Sequence, residues 1–201
     1  MNLPNLITCS RVLLLGLIAW LMLSPGPGTA TLACLLAIVA SVSDWLDGWL
    51  ARRYNQISNF GKLMDALIDK VFVLGVFILL VILSYLPLWT VAILILVVAR
   101  DILITVLRAM AARRGAVLAA DRWGKRKTIW QVTSICVLLF VPVVEVDLAQ
   151  LFGVPLTLLA EFVWWNGLFY FLLSSGFALY SGVLYVIQYV PTLRDTGEAG
   201  E

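Results

Sequence analysis

Thr29 to Arg53 reads TATLACLLAIVASVSDWLDGWLARR. Its first half is apolar or small and uncharged, and a helix of this length suits a bilayer crossing. Asp44 and Asp47 then fall inside the run, ahead of the basic pair Arg52 and Arg53. The next apolar run, from about Phe60 to Leu83, carries Asp65 and Asp69 near its start. A carboxylate in lipid is costly and marks a functional site by default. Asp44 and Asp47 are spaced i,i+3, and Asp65 and Asp69 i,i+4, so each pair shares one helix face. Counted from Tyr54, Asp47 lies roughly 10 Å inside and Asp44 roughly 15 Å. Counted from Asn59, Asp65 lies roughly 9 Å inside and Asp69 roughly 15 Å. As antiparallel neighbours, the two helices bring Asp44 level with Asp69 and Asp47 level with Asp65. The expectation is one polar pocket ringed by four carboxylates.

The whole chain supports a membrane setting. Of 201 residues, 62% are apolar and 13% charged, against about half and a quarter in soluble domains. That composition excludes a disordered chain, a nucleic-acid-binding tail protein and an ordinary water-soluble enzyme. The absence of histidine removes Ser-His and Cys-His triads and most zinc sites. Cys9, Cys34 and Cys136 lie scattered in apolar runs and read as small buried residues, not a disulfide framework. No basic residue precedes Arg11, so the first apolar run reads as an uncleaved helix.

Six transmembrane helices are predicted, over about Pro4–Leu23, Thr29–Arg53, Phe60–Leu83, Leu88–Arg113, Lys125–Val144 and Leu156–Tyr189. Breakers separate them, notably Ser24-Pro25-Gly26-Pro27-Gly28 and Tyr85-Leu86-Pro87, with a connector bearing Glu145 and Asp147 after the fifth. The fold expected is all-α and polytopic: one membrane domain over 1–190 and a polar tail over 191–201. Arg52, Arg53 and Lys62 flank the second connector, and Arg113, Arg114, Arg122, Lys125, Arg126 and Lys127 crowd the fourth. The first, third and fifth connectors hold no Lys or Arg. The positive-inside rule therefore places the second and fourth connectors, the pocket and both termini in the cytoplasm. Trp164 and Trp165 at one end of the last helix, and Tyr185 and Tyr189 at the other, fit interfacial belts.

Four carboxylates so close cannot all stay ionised unaided. Some take protons, some pair with Lys70, Arg52 or Arg100, or divalent cations neutralise the set. Carboxylate ligands without His or Cys select hard ions, Mg²⁺ or Mn²⁺. Two such ions balance four acids, and a two-metal site serves in-line phosphoryl displacement. Gly48, Ala51 and Gly61 leave room beside the acids for a close helix or a ligand. Arg52 at the mouth suits a phosphate or serves as a topology anchor. Arg100 and Arg108 stand two turns apart on helix four. Asp101 lies nearly in line with Arg108 at i,i+7, which pairs one arginine in part. A cation transporter using intramembrane acids is the rival reading, but no repeat or paired interrupted helix supports it.

Written out, the acidic stretch is Asp44, two residues, Asp47, Gly48, two residues, Ala51, Arg52, eight residues, Gly61, three residues, Asp65, three residues and Asp69. This resembles the signature of the CDP-alcohol phosphotransferase family at every fixed position. Further segments resemble the bacterial branch that makes phosphatidylglycerophosphate. They are Pro4 to Thr8 with Arg11, Phe60 to Asp65 with Asp69 and Lys70, Ala99 to Asp101 with Arg108, and Trp123 to Thr128 with Gln131. Ala66 and Asp101 depart from that branch, which usually has proline and glutamate there. The resemblance implies a six-helix enzyme of the bacterial inner membrane, a homodimer that binds lipid bilayer and no nucleic acid. It implies transfer of a phosphatidyl group from CDP-diacylglycerol to glycerol 3-phosphate, or to phosphatidylglycerol, serine or an inositol phosphate in sister branches. Asp44, Asp47, Asp65 and Asp69 would hold two Mg²⁺ or Mn²⁺ ions, with Asp69 also the catalytic base. Gly48, Arg52 and Ser58 would bind the donor. Arg108, Lys125 and Lys127, with Arg100, Asn5, Thr8 and Arg11, would bind the acceptor phosphate.

Overall fold

The computed structural model describes the backbone of residues 3–24, 26–53, 59–113 and 122–198, and the side chains of 10–24, 26–43, 68–111 and 126–187. Helices α1 (Leu3–Leu23), α2 (Thr29–Arg53), α3 (Asn59–Ile82), α4 (Thr90–Arg113) and α5 (Arg122–Pro142) come first. A π-helical turn (Val143–Leu148) then leads into α6 (Ala149–Phe152), and α7 (Thr157–Glu198) follows. No strand occurs among the described residues.

Two stretches differ from the sequence reading. The segment holding Glu145 and Asp147 is helical, not a loose connector. Pro142 has no amide hydrogen to give to the preceding turn, so the helix continues there with wider π spacing. It stops at Gly153, whose φ of 66° supplies the left-handed cap. The last helix runs through Pro191 to Glu198, so most of the polar tail expected over 191–201 is helical.

Among the described residues, Thr90–Ala111, Arg126–Phe152 and Thr157–Ile187 are long and apolar enough to cross a membrane. Their outward positions carry large apolar side chains, including Ile95, Ile102, Leu158, Phe162, Phe169 and Ile187. Water would penalise that surface and lipid does not. The protein is an all-α membrane protein.

The helices form two compact units, Met1–Leu88 with Val132–Leu168, and Trp89–Gln131 with Phe169–Glu201. In the first, α1 packs on both α2 and α3, and α2 packs on the π turn. Ala30, Ala33, Cys34, Ala37 and Ala40 form a buried stripe along α2, the small-residue surface that lets membrane helices approach closely. A Cβ on Gly75 of α3 would stand 2.5 Å from a Leu15 methyl on α1. Cys34 and Cys136 are free thiols, and the Cys34 thiol faces the Cys136 carbonyl oxygen at 3.9 Å. Cys34 is buried as the sequence reading has it, Cys136 is half-buried, and Cys9 lies outside the described side chains.

The three base-free connectors meet at one end of this unit. Asp147 reaches the start of α2 and accepts the Gly28 amide at 3.0 Å, the Thr31 amide at 2.8 Å and the Thr31 hydroxyl at 2.6 Å. Trp164 donates its indole N–H to the Tyr85 carbonyl at 2.8 Å, while Trp165 is exposed. The Tyr85 phenol lies 3.5 Å from the Glu145 carboxylate. Burial, then the charge of Glu145, pushes that phenol above its usual range, so it stays neutral.

Asp147 thus acts as an N-cap supplied from a distant part of the chain, a carboxylate on the positive end of a helix dipole. Asp147→Ala should cost about 1–2 kcal/mol of stability, with Asp147→Asn in between. Denaturant unfolding in detergent measures this, and equal midpoints for all three proteins would refute the cap.

Candidate active site

In the first unit the helix ends fix how far along α2 and α3 the four acids lie. Asp47 and Asp44 lie about 9 and 14 Å from the Arg53 end of α2, and Asp65 and Asp69 about 9 and 15 Å from the Asn59 end of α3. The acids therefore sit at two matched depths along their own helices. Asp69 is half-buried, beside the buried Ile68 and one turn from the buried Phe72. The side chains of Asp44, Asp47, Asp65, Gly48 and Arg52 lie outside the described residues, as does Ser58. Among the described side chains, no group of three Asp, Glu or Cys could hold a metal ion.

Helix α1 carries Asn5, Thr8 and Arg11. The side chains of Asn5 and Thr8 are outside the described residues, but Arg11 is only 2% exposed. It lies about 12 Å from the start of α1, on the helix that packs against both acid-bearing helices. A fully buried guanidinium there is far from a freely solvated headgroup anchor.

The basic residues expected from the second half of the chain fall in the second unit, and they form two separate arrangements. In the first, Asp101 of α4 binds two cations, one on each carboxylate oxygen. Arg100 Nη1 donates at 2.8 Å and Lys127 Nζ of α5 at 2.5 Å. All three side chains are nearly buried. Arg100 also donates through Nη2 to the Ser181 hydroxyl of α7. That hydroxyl gives its own proton to the Ala178 carbonyl, which leaves oxygen lone pairs facing the arginine. Gly182 makes room, since a Cβ there would lie 2.6 Å from Arg100 Cγ.

In the second arrangement, Arg108 of α4 donates through Nε to the Tyr185 phenol oxygen at 3.1 Å, and its guanidinium lies 5.4 Å from the Tyr185 ring centre. Tyr185 is buried against Ile104 and Leu107, so it serves α4 and not the interfacial belt expected for it. Tyr189 and Lys125 are outside the described side chains. Asp101 pairs with Arg100 and Lys127, not with Arg108 as the i,i+7 spacing suggested. A Trp130–Tyr170 stack at 5.4 Å joins α5 to α7 within the same unit.

The model of the CDP-alcohol phosphatidyltransferase family matches residues 1–179. This chain belongs to that family.

Among the relatives of this phosphatidyltransferase are three bacterial proteins named CDP-diacylglycerol–glycerol-3-phosphate 3-phosphatidyltransferase. The Pseudomonas fluorescens protein is 30% identical over 202 residues, spanning 98% of this chain and 94% of the relative. The Bacillus subtilis protein is 37% identical over 150 residues, 69% of this chain and 76% of the relative. The Escherichia coli K12 protein is 35% identical over 150 residues, 74% of this chain and 82% of the relative.

Three residues of this phosphatidyltransferase carry polar contacts that spacing along one helix does not reveal. Asp101 finds Lys127 across two helices, and Ser181 and Tyr185 reach the arginines from α7. The one local cue is that Ser181 and Tyr185 stand at i,i+4 on a single face. Asp101 bonds both Arg100 and Lys127, and losing it would take a carboxylate partner from two nearly buried cations. Asp101→Leu should destabilise the protein by about 3–5 kcal/mol. Asp101→Leu combined with Lys127→Met should recover part of that loss in detergent unfolding. Additive losses in the double variant would mean that the ion pair contributes nothing.

Proposed function

We propose that this enzyme transfers the phosphatidyl group of CDP-diacylglycerol to glycerol 3-phosphate, releasing CMP and phosphatidylglycerophosphate. The observation that carries this reading is the shared name of relatives aligned over most of both chains. The eight-position acidic signature supports the chemistry.

The donor set of Asp44, Asp47, Asp65 and Asp69 fits hard divalent cations, because it offers only carboxylate oxygens at two matched depths. When bound, two Mg²⁺ or Mn²⁺ ions supply charge neutralisation for the diphosphate and for the departing CMP. Asp69 accepts the proton of the acceptor hydroxyl, since a chain without histidine must use a carboxylate or similar base. The acceptor oxygen forms its bond to the phosphatidyl phosphorus as the bond from that phosphorus to the CMP oxygen breaks. Gly48 lets the donor approach the α2 backbone, and Arg52 and Ser58 hold its CDP portion. Arg108, Lys125 and Lys127, with Arg100, Arg11, Asn5 and Thr8, serve the acceptor phosphate.

Residues 1–190 work as a single membrane domain of six spans in the bacterial cytoplasmic membrane. Both termini and the aspartates face the cytoplasm. The support is the distribution of Lys and Arg among the connectors. Homodimeric assembly belongs to the same reading, on family resemblance alone.

Changing Asp44, Asp47, Asp65 or Asp69 to Asn should each lower kcat at least about a thousandfold, because the ligands act as one unit. EDTA should reproduce the loss and Mg²⁺ or Mn²⁺ should reverse it. Turnover by Asp65→Asn in chelator at the wild-type rate would discard the metal reading. Purified protein with CDP-diacylglycerol and Mg²⁺ should release CMP with glycerol 3-phosphate and barely with glycerol or serine. Arg108→Ala should raise the KM for glycerol 3-phosphate about tenfold or more, leaving the donor KM in place. Equal turnover with glycerol or serine would move the chain to another branch of the family.

A further inference from the structure

An arginine that binds a phosphate works best when its guanidinium plane is already set, because a loose side chain loses rotamer freedom on binding. Arg108 has a device for this. Its Nε donates to the Tyr185 phenol oxygen at 3.1 Å, and the guanidinium lies 5.4 Å from the ring centre. Tyr185 is itself 2% exposed and wedged with Ile104 and Leu107, so its ring cannot drift. Arg108, by contrast, is exposed. Among the described residues no other group bonds to its guanidinium. The phenol therefore occupies Nε, and the Nη1–Nη2 edge stays available as a two-pronged donor for an anion. One turn earlier on α7, Ser181 sets Arg100 in the same manner, with Gly182 admitting its stem. Both α7 partners are neutral and hold an arginine without cancelling its charge.

We propose that Tyr185 is a positioning residue that presents Arg108 to the phosphate of the acceptor. This rests on the acceptor reading above. It adds a functional face on α7, a helix to which neither the acidic signature nor the basic connectors assign any role.

The test is steady-state kinetics of the full-length enzyme in detergent with CDP-diacylglycerol, Mg²⁺ and glycerol 3-phosphate. Tyr185→Phe keeps the ring and its volume and removes only the oxygen. It should raise the acceptor KM about 3- to 10-fold, with kcat within about twofold and the donor KM unchanged. Tyr185→Leu, which also removes the ring, should raise it further. In an Arg108→Ala background, Tyr185→Phe should add nothing, because the group it positions is gone. If Arg108→Ala raises the acceptor KM but Tyr185→Phe does not, the positioning role falls and the acceptor reading stands. If Arg108→Ala itself leaves the acceptor KM unchanged, the acceptor reading falls and takes this proposal with it. Should Tyr185→Phe lower kcat or folded yield at constant acceptor KM, the tyrosine is packing alone and the proposal is overturned.

Discussion

A charge held in hydrocarbon must be neutralised, hydrogen-bonded or ligated, because water is absent to solvate it. That constraint organises this protein. In the second unit, Asp101 sits among Arg100, Lys127 and, through Arg100, Ser181, so the buried charges meet partners at 2.5–2.8 Å. In the first unit, four aspartates lie within α2 and α3 at matched depths. Their number exceeds what a single structural ion pair needs, and the cation ligation proposed above would neutralise them.

Holding charges in place demands stiff supports. The buried alanine stripe of α2 lets a neighbouring helix come close, and the close approach at Gly75 sets α3 tightly against Leu15 of α1. Asp147 pins the far end of α2 by accepting the Gly28 and Thr31 amides and the Thr31 hydroxyl. A slide of one residue would move a helix by about 1.5 Å and turn it by about 100°. That would be enough to remove a carboxylate from the proposed ligand set, and displacements near 1 Å already cost large factors in rate. The cap on α2 and the acids some four turns along it are thus parts of one rod.

The sequence makes some of this legible and hides the rest for definite reasons. Apolar runs and breakers place α1 to α4 within about two residues, since hydrophobic length and Gly-Pro punctuation are local signals. The spacing of Asp44, Asp47, Asp65 and Asp69 is likewise local, and with its glycines it carries the family. The turn at 143–148 is not legible, because two acids after a proline look like a loop when their partners are unseen. Asp147 is satisfied by Gly28 and Thr31, more than a hundred residues away. Asp101 is misread for the same reason. Helix periodicity offers Arg108 as its neighbour, while tertiary packing brings Lys127. Tyr185 looks like an interfacial anchor from its position near a helix end. Only the packing of α7 shows that it is buried under an arginine.

The choice of partners for the basic residues has its own logic. A carboxylate beside each arginine would satisfy its hydrogen bonds and also cancel its field, leaving little attraction for an anion. Here one acid serves both Arg100 and Lys127, so the trio keeps a net positive charge. Arg108 takes a phenol, and Arg100 takes a hydroxyl as its second partner. Neutral acceptors fix geometry through directed hydrogen bonds and leave the charge unspent. The indole and phenol rings of the same unit add bulk without charge. Under the acceptor reading proposed above, arginines set by neutral partners would keep their charge for the acceptor phosphate, whereas a carboxylate on each would offset it.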